Sequence, residues 1–222
     1  MTLYDYVLSS GCYKVRLFAA LLGVELTIKA VNFYPAKDHK SPSMLALNPA
    51  GTLPVLEDGD LVLTQSTAIL SYIAANHGPK WLGDGSPKQS ALVQEWLAFS
   101  GALNSSLGLA RLHDMLQYEA DIHLVRQAGV RHLRHLEAWL TEQGFRGEGF
   151  FTGGEPTMAD IACFPSVMLA PDGGVTLDVY PAIRHWTRAI RSLPDFIEMP
   201  GIHRLHELVQ PSIPDAQMAE VG

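Results

Sequence analysis

Pro54 constrains this chain more than any other residue. It starts a short apolar run, Pro54-Val55-Leu56, that reads as a strand. A proline cannot donate to a sheet ladder, so its place at that point needs a reason. The run lies within Asn48-Pro-Ala-Gly-Thr-Leu-Pro-Val-Leu-Glu-Asp-Gly-Asp-Leu-Val-Leu-Thr-Gln-Ser-Thr-Ala-Ile-Leu70. Behind the first strand come a turn at Asp58-Gly59, a second apolar strand over 61–63 and a helix opened by Gln65-Ser66. Two backbone states suit the proline: trans at a strand edge, or a cis Leu53–Pro54 bond. The cis form swings Leu53 outward, so that its N–H and C=O can pair with an extended peptide.

Ser66 stands where a helix N-cap belongs. Free N–H groups at a helix start make a carboxylate site, and Gln65 adds a donor and an acceptor beside it. Plain capping satisfies the same pattern. Coupled to a peptide-pairing strand edge about a dozen residues earlier, the pattern describes a cradle for a small acidic peptide.

The rest of the chain limits what that cradle can belong to. Its 222 residues can hold one large domain or two small ones. A net charge of −7 without a basic cluster argues against nucleic acid. No apolar run approaches the roughly 18 residues of a membrane span, and the N-terminus reads directly as a strand, not as a signal. Cys12 and Cys163 lie too far apart in sequence to suggest a disulfide framework or zinc spacing, so a reducing cytoplasmic setting and no metal are expected.

The periodicity predicts a strand over 3–8, a helix over 12–22 closed by Gly23, and a strand over 25–32 with Leu26, Ile28, Ala30 and Val31 inward. A helix between two such strands implies a right-handed parallel crossover. Residues 33–42 read as a loop or an irregular helix. The first 76 residues thus give β-α-β-loop-β-β-α, the order of a thioredoxin-like domain. Residues 77–87, with three glycines and two prolines, read as a linker. Residues 88–222 read as all helical: 88–116, 119–143, 158–169 and 181–193, with a frayed tail after Pro211. Thr157-Met-Ala-Asp160 has the form of a capping box, which gives Thr157 and Asp160 a structural role.

Together these pieces resemble the cytosolic glutathione transferases over nearly the whole chain. The most specific are Cys12-Tyr-Lys-Val-Arg-Leu17, Leu45-Ala-Leu-Asn-Pro-Ala-Gly-Thr-Leu-Pro-Val-Leu56, Gln65-Ser66-Thr-Ala-Ile69 and Pro156-Thr-Met-Ala-Asp-Ile161. Tyr180-Pro-Ala-Ile-Arg-His-Trp186 with Leu193-Pro194 is similar to the end of many bacterial members. The resemblance implies an α/β thioredoxin-like domain followed by an all-α domain, a cis Pro54, glutathione as co-substrate and a homodimer. It implies that Leu53 pairs with the cysteinyl unit and that Gln65 and Ser66 hold the γ-glutamyl end. His39 and Lys40 are then candidates for the glycine carboxylate. Thr52 stands where many members carry lysine or glutamine, and Gln65 where many carry an acid, so one cation is missing and ammonium recognition is neutral.

The chemistry implied is to present the glutathione thiol as a thiolate. A free thiol has a pKa of about 8.5, and each unit of lowering needs about 1.36 kcal/mol. A hydroxyl donating to the sulfur offers roughly 1.5–3 kcal/mol and a helix N-terminus roughly 0.3–1. Ser9 and Ser10, between the first strand and helix, are the candidate catalytic residues. Ser9-x-x-Cys12 matches the serine-type (theta- and delta-like) spacing, and Ser10 matches the position used in another class. Cys12, in the first helical turn, either packs or has a lowered pKa. Tyr4 and Tyr6 are weaker candidates. A small hydrophobic electrophile is expected against Leu8, Phe99, Asn104 and His113. Glutathione-dependent reduction of disulfides or peroxides, isomerisation, and a non-catalytic scaffold are the rival readings.

Overall fold

A computed structural model describes residues 1–199. Strand β1 (Thr2–Asp5) leads through a turn into helix α1 (Ser10–Leu21), and β2 (Thr27–Ala30) returns parallel to β1. After helix α2 (Pro42–Leu47) come β3 (Val55–Asp58), β4 (Leu61–Leu63) and helix α3 (Ser66–His77). The sheet order is β2-β1-β3-β4, with β3 antiparallel to both β1 and β4. This is the thioredoxin-like arrangement.

Four local expectations change. Strand β1 ends at Asp5, because residues 6–9 leave the sheet to form the turn before α1. Strand β2 is an exposed edge strand, so Ile28 faces out and only Val31 beyond it is buried. Helix α2 has six residues, too few to show a helical period in sequence, and is set by Ser41, whose Oγ accepts from the Met44 N–H, and by Pro42 at its first turn. At α3 the cap is Gln65 (φ −116°, ψ 125°) and Ser66 is the first helical residue.

Residues 77–87 are not a loose connection. Pro79–Leu82 form a 3-10 turn whose Trp81 is buried edge-on to Phe18 of α1, with ring centroids 5.3 Å apart. The helical part follows as α4 (Pro87–Leu103), α5 (Leu109–Leu116), α6 (Ile122–Phe145), α7 (Met158–Met168) and α8 (Pro181–Arg191). A π-helical turn, Asn104–Gly108, joins α4 to α5 where one uninterrupted helix was expected. All of α7 is buried, and it packs on α1 and α4, tying the sheet half to the helical half. The tail after Pro211 lies outside the described residues.

Asp160 sits fully buried in this core. Its carboxylate accepts from the Thr157 N–H (2.8 Å) and Oγ1 (3.2 Å), the Phe151 N–H (3.1 Å) and the Trp186 indole (2.9 Å). Burial raises its pKa, and the same hydrogen bonds pull the other way. The carboxylate holds together the start of α7, the 150–153 turn and α8.

Candidate active site

The turn after β1 is shaped by hydrogen bonds before any side chain acts. The Ser9 N–H bonds the Tyr6 carbonyl at 2.8 Å, and Ser9 (φ −77°, ψ 121°) becomes the N-cap of α1. Its Oγ accepts from the Cys12 N–H at 3.2 Å. The hydroxyl hydrogen takes no part in that bond and remains available to an acceptor. Two arginines hold the turn from opposite sides. Arg16 of α1 reaches Asp5 (3.1 Å) and donates to the Val7 carbonyl (2.8 Å); Arg111 of α5 pairs with Asp172 (3.0 Å) and donates to the Leu8 carbonyl (2.8 Å). Both carbonyls immediately before Ser9 are thereby fixed.

The Leu53–Pro54 bond is cis. Asn48, buried, locks the loop ahead of it: its amide donates to the Thr52 carbonyl (2.8 Å) and Oγ1 (2.9 Å), and its oxygen accepts from the Ala50 N–H (3.1 Å). Gly11 lets α1 approach this loop. A Cβ there would lie 3.2 Å from Pro54 Cδ and 3.5 Å from the Leu53 carbonyl oxygen. Across the cleft floor, no side chain caps α3, so the first N–H groups of that helix are unused by a cap.

These pieces converge on one cleft of about 570 Å³. Ser9, Ser10, Leu53, Pro54, Gln65 and Ser66 line it, as do Thr52, His39 and Lys40. His39 is buried, not solvent-facing: its ring stacks on Phe33 with centroids 4.0 Å apart, and Nδ1 has no partner among the described residues. Burial, with the Lys40 charge adding to it, lowers the His39 pKa below that of an ordinary histidine, so the ring is neutral at neutral pH.

Of the four residues expected around an electrophile, Leu8 and Asn104 line the cleft and two do not. Leu97, Ser100 and Gly101 of α4 face the cleft, and Asn104, the first residue of the π-helical turn, continues that line at helical spacing. Phe99 lies on the opposite face, edge-on to Trp96 (5.2 Å) and beside His132 (5.6 Å). His113 turns away to bond the Tyr118 carbonyl through Nδ1 at 2.8 Å. The π-helical turn shifts the phase of α5, and Arg111, Leu112 and Met115 take the cleft side instead.

Cys12 is fully buried, and burial pushes its thiol up to about 12, the reverse of what exposure at a helix start would give. The Tyr4 hydroxyl is engaged by Glu57 (2.6 Å) outside the cleft, whereas Tyr6 lines it and stacks on Phe33. Lys14, Arg111, Asn48 and Phe33 went unassigned in the sequence. Only Asn48 carried a local signal there, the Asn-Pro-x-Gly turn.

Residues 1–75 match the glutathione S-transferase N-terminal domain, and residues 109–189 match the glutathione S-transferase C-terminal domain. The chain is 30% identical over 220 residues to a maleylacetoacetate isomerase of Pseudomonas aeruginosa, covering 97% of this chain and 100% of the relative. It is 28% identical over 219 residues to glutathione S-transferase 1 of Zea mays, covering 96% and 98%. Among solved structures it resembles a glutathione S-transferase from Pseudomonas fluorescens, with a TM-score of 0.80, 26% identity and 90% and 98% coverage. Both halves and nearly the whole length are accounted for, and the chain belongs to the glutathione S-transferase family.

Proposed function

We propose that this protein transfers the thiolate of glutathione to a small electrophile, with Ser9 as the catalytic residue. The observation that carries the reading is the Ser9 hydroxyl: its oxygen is held by the Cys12 N–H, its hydrogen is free, and it lines one cleft with Leu53 and the uncapped start of α3. Leu53 pairs through its backbone with the cysteinyl unit, Gln65 and Ser66 take the γ-glutamyl end, and His39 and Lys40 take the glycine carboxylate. The sulfur then lies at the start of α1, where Ser9 donates to it and the helix end favours its charge. The sulfur lone pair forms the new S–C bond, and the leaving group departs with its bonding pair. Leu8 and Asn104, joined by Leu112 and Met115 of α5, face the electrophile. Ser10 is the alternative donor one residue on. We take the working unit to be a cytosolic homodimer, which light scattering in solution tests.

Ser9→Ala is the decisive variant. Losing a hydrogen bond to a charged sulfur, about 1.5–3 kcal/mol, raises the pKa of the bound thiol by about one to two units. Turnover of chlorodinitrobenzene below pH 7 falls about 10–100-fold, with the glutathione Kd nearly unchanged. Ultraviolet thiolate absorbance of the binary complex reads the pKa directly. Unchanged absorbance and turnover would move the role to Ser10.

A second reading is favoured by the full-length similarity to a maleylacetoacetate isomerase: reversible addition of the thiolate to a cis alkene, rotation and release. Glutathione-dependent isomerisation of maleylacetone by the wild type tests it. Dithiol reduction gains no support from Cys12, whose buried thiol stays protonated.

A further inference from the structure

The protein as a whole is acidic, with a net charge of −7, yet its cleft is not. Among the described residues, the cationic side chains on the cleft walls are Lys14, Lys40 and Arg111, the last paired with Asp172 behind the wall; His39 is neutral, and no carboxylate side chain lines the cleft. Lys40 and His39 lie on the segment assigned above to the glycine carboxylate of glutathione. Lys14 and Arg111 have no such assignment, and both flank the serines. Lys14 is one helical turn after Ser10 on α1, where side chains four apart share a face, with their Cβ atoms about 5–6 Å apart. Arg111 holds the carbonyl of Leu8, the residue before Ser9.

Lys14 is the more telling of the two. It is 3% exposed and lines the cleft. Among the described residues it makes no ion pair or hydrogen bond. The titratable group acting on it is the Cys163 thiol of α7, which burial pushes up and keeps neutral, and which donates to the Trp96 carbonyl. Burial lowers the Lys14 pKa to about 8, so at neutral pH the ammonium is still charged. An uncompensated charge in that position is costly to fold around, and an anion entering the cleft relieves the cost. Arg111 has one donor, Nη2, without a partner among the described residues, but that atom is itself buried, so Arg111 contributes field more than contact.

We infer that Lys14 is the binding residue of an anionic subsite beside the sulfur, and that the electrophile this protein takes carries a carboxylate. The inference rests on the glutathione reading above and adds the charge class of the second substrate. The surface of the protein repels such a substrate, while the cleft offers it the one region of opposite sign that the described residues build around the serines.

The test uses a matched pair, 4-chloro-3,5-dinitrobenzoate and its methyl ester, which differ in charge but share the displaced chloride. With glutathione and the wild type, kcat/KM for the acid exceeds that for the ester by about tenfold after correction for their uncatalysed rates. In Lys14→Met the acid-to-ester ratio collapses toward one, and in Lys14→Arg it recovers in part. Calorimetric binding of the two S-aryl glutathione products gives the same ratio without turnover, and the glutathione Kd shows that each variant keeps its fold. If acid and ester fall by the same factor in Lys14→Met, the charge serves the sulfur or the fold and the proposal is wrong. A wild type that binds glutathione but shows no preference for the acid also overturns it. A wild type that binds neither glutathione nor the products removes the glutathione reading, and this inference with it.

Discussion

The two walls of the cleft are built on different principles. The wall from the sheet half is mostly main chain: the Leu53 backbone beside a cis proline, the open N–H groups of α3, and the turn that presents Ser9. The wall from the helical half is side chains of α4, the π-helical turn and α5: the buried Leu97 and Arg111, with Asn104, Leu112 and Met115 more open to the cleft. Main-chain donors and acceptors recognise any peptide of the right shape and survive most substitutions. Side chains such as Asn104 and Met115, on which no backbone group among the described residues depends, can be exchanged without disturbing the main chain behind them; Arg111 is the exception. A fixed co-substrate therefore suits the first wall, and a variable one the second.

Arg111 joins the two walls, and removing it is the harshest test of their independence. In Arg111→Met the Asp172 carboxylate, whose side chain is 11% exposed, and the Leu8 carbonyl both lose their donor. Breaking a buried pair from one side costs about 3–5 kcal/mol, read as a fall in urea-unfolding free energy. Arg111→Lys keeps the charge but has no planar fork to serve both partners, so it recovers little. A loss below about 1 kcal/mol would show that the serine turn stands without help from the helical half.

Gly11→Val probes the main-chain wall alone. Its methyl groups crowd Pro54 and the Leu53 carbonyl, already at contact distance from a bare Cβ. Overpacking of this kind costs about 1–3 kcal/mol, and here it appears chiefly as weaker glutathione binding in calorimetry. An unchanged Kd would mean that α1 and the proline loop separate freely and that the wall is not rigid.

The same contrast explains what could be read from sequence. The strand and helix pattern around Leu53-Pro54, Gln65-Ser66 and Ser9–Cys12 made the thioredoxin-like order legible, while the residues alone left the Leu53–Pro54 bond open between cis and trans and put the α3 cap one residue late. Helix α2 was not legible, because its six residues fall below two turns. The helical wall was half legible. Periodicity marks an apolar face without naming its neighbour, and Phe99, two residues from both Leu97 and Gly101, is about 200° round the helix from the cleft. His113 was lost to the π-helical turn, which no apolar pattern announces. Lys14 lies in an apolar stretch of α1, and only packing against α7 reveals that it is buried without a counter-ion.

Thr52→Lys gives the smallest effect and the sharpest comparison. Thr52 is exposed at the cleft edge, and its Oγ1 accepts one of the two Asn48 bonds, the other going to its own carbonyl. Lysine keeps the carbonyl bond, loses the hydroxyl one, and places a solvated ammonium beside the main-chain wall. An exposed ion pair adds about 0.2–1 kcal/mol, so the glutathione KM should fall by about 1.4- to fivefold at low salt and return toward the wild-type value as salt is raised. The acid-to-ester ratio of the electrophile pair stays where it was if glutathione binds as proposed, with the new charge on the peptide's side of the sulfur. A ratio that rises with Thr52→Lys would mean that the cleft responds to its total charge, and the division between a peptide wall and an electrophile wall would fail.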